Sequence, residues 1–109
     1  MEFQTIIDRA MEIRKLYQEK ETQLYGSPWT SEELALGFVG DVGDLVKLIS
    51  AENGKRKILN SREMLEHELA DCLWSVIVLS QTHGVDLEKS FFHTMDRLEK
   101  HLLENPPEE

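Results

Sequence analysis

At 109 residues the chain has room for one domain with a core and too little for two. A hydrophobic content of 40% fits a globular protein, and a net charge of −9 excludes one that grips nucleic-acid backbones, which need basic surfaces. No apolar run approaches a membrane span, and the lone Cys72 excludes an internal disulfide and points to a reducing cytoplasm.

In chain order, Met1-Glu2-Phe3-Gln4 passes straight into an amphipathic stretch, so no leader peptide is expected. Phe3, Ile6, Ile7, Ala10, Ile13, Leu16 and Tyr17 recur at helical spacing and predict a first helix over residues 3–21. Tyr25-Gly26-Ser27-Pro28-Trp29 holds turn formers, and Thr30-x-x-Glu33 reads as a capping box opening a second helix that reaches Ser50. Asn53-Gly54 ends it, and Lys55, Arg56 and Lys57 form a basic cluster in the following loop. Asn60-x-x-Glu63 reads as another capping box, opening a third helix that runs to Thr82.

The second half of that helix, with Trp74, Val76, Ile77, Val78 and Leu79, is apolar on most sides. Such a helix is buried on more than one side, and in so small a protein part of it is expected to meet another subunit. Asp86 caps a fourth helix carrying Leu87, Phe91, Met95, Leu98 and Leu102, which Pro106 and Pro107 stop. Strand-like alternation is absent, so the expected fold is all-α. It is a four-helix, bundle-like subunit with a single domain over residues 1–105 and a flexible tail over 106–109.

Two acidic pairs, Asp41-x-x-Asp44 and Glu68-x-x-Asp71, interrupt the second and third helices. At about 100° per residue, Leu34, Phe38, Val42, Leu45, Leu48 and Ile49 occupy an arc from roughly −20° to 100° around Asp41. Met64, Leu65, Leu69, Cys72, Leu73, Val76 and Leu79 likewise surround Glu68, with Cys72 read as a small core residue. The first acid of each pair therefore lies within an apolar stripe and the second follows one turn later at its edge. Carboxylates on core-facing surfaces are costly unless neutralised, so the two pairs predict a bound cation, and hard ions such as Mg²⁺ take carboxylate oxygens. The four histidines show no ligand spacing, and no Glu-x-x-His element of a di-iron bundle is present.

Other candidates carry two readings each. Tyr25 and Trp29 either stack on a nucleobase or staple their loop to the bundle. Lys55, Arg56 and Lys57 either close over phosphates or remain solvated. Glu32, Glu33 and Glu63 fall in first helical turns, where caps and the helix dipole account for them.

With these acids in place the chain resembles the MazG-like, all-α NTP pyrophosphatase superfamily, whose signature is Glu-x-x-Glu followed by Glu-x-x-Asp on the next core helix. Leu34-Ala35-Leu36-Gly37-Phe38-Val39-Gly40-Asp41-Val42-Gly43-Asp44-Leu45 is similar to the first segment with each Glu shortened to Asp, and Glu68-Leu69-Ala70-Asp71-Cys72-Leu73-Trp74 is similar to the second without that change. Ser75 stands where relatives often have an aromatic residue, and Thr94 to His101 keep only scattered basic residues of the family's last helix. The resemblance implies Mg²⁺-dependent hydrolysis of a nucleoside triphosphate to a monophosphate and pyrophosphate, with Mn²⁺ as a substitute ion. It makes Asp41, Asp44, Glu68 and Asp71 the metal-binding and catalytic residues; Tyr25, Trp29, Lys55 and Arg56, read from their own chemistry, are candidate substrate contacts. The expected protein is a cytoplasmic homodimer or homotetramer acting on free nucleotides, in nucleotide-pool house-cleaning, rather than on a nucleic-acid polymer or a membrane. The alternative is a catalytically weak or inactive relative that binds nucleotide or metal, or serves as a helical oligomerisation module.

Overall fold

The computed structural model describes residues 2–105; the expected tail over 106–109, with Pro106 and Pro107, lies outside them. Four helices account for the fold: α1 (Phe3–Tyr25), α2 (Ser31–Glu52), α3 (Ser61–Thr82) and α4 (Leu87–Glu104). No strand occurs among the described residues, and the fold is all-α.

Helix α1 runs one turn beyond its expected end, because Gly26 is the first residue to adopt the left-handed conformation that stops it, at φ 86°. The capping box at the start of α2 forms: Glu33 N–H donates to Thr30 Oγ1 at 3.2 Å, and Thr30 N–H donates to Glu33 Oε1 at 3.0 Å. Asp86 caps α4 as expected, accepting from Lys89 N–H at 3.0 Å.

The second expected box does not form. Asn60 is left-handed at φ 58°, and its side chain makes no cap hydrogen bond. The extended backbone that aims a cap side chain at the third helical residue is lost in that conformation. The start of α3 is fastened to the end of α2 instead: Ser61 Oγ donates to Glu52 Oε2 at 3.2 Å, and Arg62 Nη1 donates to Glu52 Oε1 at 3.3 Å.

Helix α3 is the axis of the fold. It packs most extensively on α2, then on α1, and only marginally on α4. Ile77 and Val78, neighbours in sequence and so about 100° apart around the helix, are both essentially inaccessible to solvent. Ile77 packs with Ile7 and Ala10 of α1. The Trp74 indole N–H donates to the Ala10 carbonyl at 3.0 Å, fixing the two helices in register. The buried Ser80 hydroxyl is satisfied within its own helix by the Ile77 carbonyl at 2.7 Å.

Much apolar surface stays uncovered. No residue of α4 is buried, and Phe91, Met95, Leu98 and Leu102 form an open stripe along it. On α2, Leu36, Val39 and Val46 are exposed, as are Leu69, Leu73 and Val76 on α3. The radius of gyration is 17.6 Å, whereas a compact chain of this length has about 13 Å.

Candidate active site

Asp41 and Asp44 reach from the middle of α2 toward the face of α3 that carries Glu68. Ligand oxygens of these three residues lie within 4.8 Å of one another. Asp41 and Glu68 are half-buried, whereas Asp44 is exposed at the rim. Among the described residues no Lys, Arg or His forms an ion pair with any of the three. Glu68 Oε1 is buried and has no hydrogen-bond partner. Burial raises the Glu68 pKa above its ordinary value of 4.5, and the charges of Asp41, Asp71 and Asp44 push it further up.

These features fit a hard divalent cation. The donors are all carboxylate oxygens, they converge on one point, and an inward oxygen lacks a donor. A cation held there would satisfy the orphaned oxygen and reduce the mutual repulsion.

Asp71 does not join this close group. Its Oδ2 lies 3.1 Å from His67 Nε2 across one turn of α3. With Asp41 it lines an adjoining cavity of about 480 Å³, walled by Ile13 and Tyr17 of α1 and by Ala70 and Trp74 of α3. That volume is within the roughly 300–1,000 Å³ usual for small-molecule sites. The Tyr17 and Trp74 rings meet with centroids 5.5 Å apart and planes tilted by 55°. Cys72 is half-buried rather than a core residue; it stands four residues after Glu68, on the same face of α3. Burial raises its thiol pKa, and Glu68, Asp41 and Asp71 add to the effect.

Tyr25 and Trp29 line a separate cavity of about 380 Å³ together with Ser27, Pro28 and Glu33. Lys55 and Arg56 are exposed in the loop beyond α2. Asp44 lies eight residues before the last residue of that helix, about 12 Å of helical rise. Another cavity, of about 560 Å³, is lined chiefly by Phe3, Leu73, Val76, Leu87, Phe91 and Phe92 and holds none of the four acids. Its apolar walls suit packing rather than phosphate chemistry.

Two features of the site region were not singled out in the sequence. Tyr17 reads there as one more residue of an apolar stripe and Trp74 as part of an apolar run. The signal for Trp74 is its position three residues after Asp71, one turn along the same side of α3. The other is a buried ion pair on α1, Arg14 with Glu21. Ile7, Arg14 and Glu21 recur every seven residues, which places both charges on the core-facing stripe.

Fold and donor set together define a class: an all-α protein that presents carboxylates from two adjacent helices to one point beside an aromatic cavity. The family model for the MazG nucleotide pyrophosphohydrolase domain matches residues 29–101, about two-thirds of the chain, and the chain belongs to that family. The match spans α2, α3 and most of α4, and leaves α1 outside. No curated protein and no solved structure matches the chain.

Proposed function

We propose that the protein is a divalent-cation-dependent nucleoside triphosphate pyrophosphohydrolase, converting a (d)NTP and water to the (d)NMP and pyrophosphate. The observation that carries this reading is the convergence of Asp41, Asp44 and Glu68 around an unpartnered buried oxygen, in a chain of the MazG family. Asp41, Asp44 and Glu68 would hold Mg²⁺ or Mn²⁺, with Asp71 one turn further along completing the acidic face toward the substrate. Such an ion, when bound, neutralises phosphate oxygens and favours attack by water at phosphorus.

The chain's own groups do the remaining work. Burial and the neighbouring carboxylates favour the protonated form of Glu68, and a bound cation would favour the ionised form. Tyr17 and Trp74 share a cavity with Asp41 and Asp71 and are the first candidates to stack on the base. The hydrogen bond from Trp74 to Ala10 holds that ring in place without a ligand. Tyr25, Trp29, Lys55 and Arg56 are candidate contacts for a nucleotide that extends beyond this cavity or bridges to a second copy.

A homodimer or homotetramer accounts for the open apolar faces and the large radius of gyration. Gly37, Gly40 and Gly43 support it, since each costs about 1 kcal/mol relative to Ala within a helix. Nothing in this subunit occupies the space that a Cβ would fill at any of them. Among the described residues no helix is long and apolar enough to cross a membrane. A lone cysteine fits the reducing cytoplasm, where a nucleotide-pool enzyme would act.

Pyrophosphate release, screened across the NTPs and dNTPs with Mg²⁺, tests the proposal. Turnover that Glu68→Gln abolishes in a folded protein supports it. No turnover with any nucleotide overturns it, and stabilisation by metal without turnover selects the inactive binding relative.

A further inference from the structure

We propose that the buried Arg14–Glu21 pair is a positioning clasp, which sets the distance between the aromatic wall on α1 and the acids on α2. This inference rests on the reading of the Tyr17–Trp74 cavity as the nucleotide site.

The pair is unusually complete. The Arg14 and Glu21 side chains are only 4% and 9% exposed. Arg14 Nη1 donates to both Glu21 oxygens, at 3.2 and 3.1 Å. Its Nη2 donates to the Trp29 carbonyl at 3.0 Å, and Trp29 N–H donates to Glu21 Oε1 at 2.8 Å. Two side chains of α1 thus take both polar groups of one backbone residue, and the next residue, Thr30, is the N-cap of α2.

The location gives the clasp its consequence. Arg14, Tyr17 and Glu21 stand at i, i+3 and i+7, so the ion pair spans the turn that bears Tyr17. Ile13 and Tyr17 form the α1 wall of the cavity, and Asp41 forms its α2 wall. Both helices pack on α3 rather than closely on each other. Besides that shared packing, the two helices are joined at this end through residues 26–30, and the clasp fixes that connection at Trp29.

A pair kept for stability alone would be dispensable, because a buried ion pair is often replaceable by apolar residues of similar volume. The double variant Arg14→Met/Glu21→Leu keeps the volume and removes the grip on Trp29. It should stay folded and bind Mn²⁺ with unchanged affinity, melting somewhat below the wild type because the Trp29 N–H and C=O lose these partners. Its KM for the best nucleotide of the screen should rise about tenfold with kcat within about twofold, less than the ~10²-fold that a 1 Å misplacement can cost. Arg14→Lys, which retains the charge and loses the two-armed reach, should show a smaller rise in the same direction.

A second readout covers a fold defect and a silent enzyme. In a Trp29→Phe background, which preserves the Trp29 backbone groups, Trp74 is the sole tryptophan and its fluorescence reports on the Tyr17 contact. A non-hydrolysable nucleoside triphosphate analogue with Mg²⁺ should quench it, and both Arg14→Lys and the double variant should weaken that binding. Unchanged KM and unchanged analogue binding in folded variants overturn the clasp. A wild type that neither turns over nucleotides nor binds the analogue overturns the nucleotide reading itself.

Discussion

Glu21 on α1 and Glu68 on α3 are both carboxylates turned toward the core, yet their surroundings are opposite. Glu21 accepts from the Arg14 guanidinium and from the Trp29 N–H, so its charge is answered within the chain. Glu68 faces Asp41 and Asp44 and has a buried oxygen with no donor. Burial of a carboxylate alone therefore does not set the two apart. The difference is that the chain leaves Glu68 unanswered, and such a group gains stability from a ligand.

Removing one member of each cluster sharpens the contrast. Glu21→Leu leaves the Arg14 charge buried and unpaired and should cost about 3–5 kcal/mol of stability in urea unfolding. A loss below about 1 kcal/mol would place the pair with exposed ion pairs, whose contribution is small. Glu68→Gln should do the reverse to the metal-free protein, raising its melting temperature, while reducing turnover on the order of 10²–10³-fold, as when one preorganised electrostatic group is deleted. A Glu68→Gln protein that is both less stable and fully active would break the comparison.

Metal and pH give smaller effects on the same axis. Mg²⁺ or Mn²⁺ at about 100 times its dissociation constant should stabilise the wild type by about 2.7 kcal/mol, with little effect on Glu68→Gln. Equal stabilisation of both would place the ion elsewhere. The pH dependence follows from the raised pKa of Glu68. As pH rises past the ordinary value of 4.5, the unfolded chain releases this proton first, so the native state binds more protons and loses stability until its own higher pKa is passed. The wild type without metal should therefore fall progressively below Glu68→Gln across that window, and saturating metal should close the gap. Chemical denaturation of the two proteins at a series of pH values checks this, and a gap that narrows as pH rises contradicts it.

Where local chemistry decides, the sequence was sufficient. The cap at Thr30 and the cap at Asp86 involve atoms within three residues of each other, and both form. Asn60 shows the limit of such motifs. Its spacing to Glu63 is that of a capping box, but the left-handed backbone at Asn60 carries the side chain away from the helix it precedes. The same limit applies between helices. Helical phase places Asp41 and Glu68 on inward faces because phase belongs to one helix. Distances among Asp41, Asp44, Glu68 and Asp71 belong to a pair of helices and vary with their crossing and rotation.

By itself, then, the sequence determined four helices, the all-α class, the inward acids and the resemblance that the family match establishes. Tertiary structure alone decided that three acids converge while Asp71 turns beside His67, and that Tyr17 and Trp74, rather than Tyr25 and Trp29, wall the cavity next to them. It also decided that Arg14 and Glu21 answer each other around Trp29. Periodicity fixes the direction of a side chain about its own helix axis, whereas coordination, stacking and ion pairing depend on the separation between axes, which only packing sets.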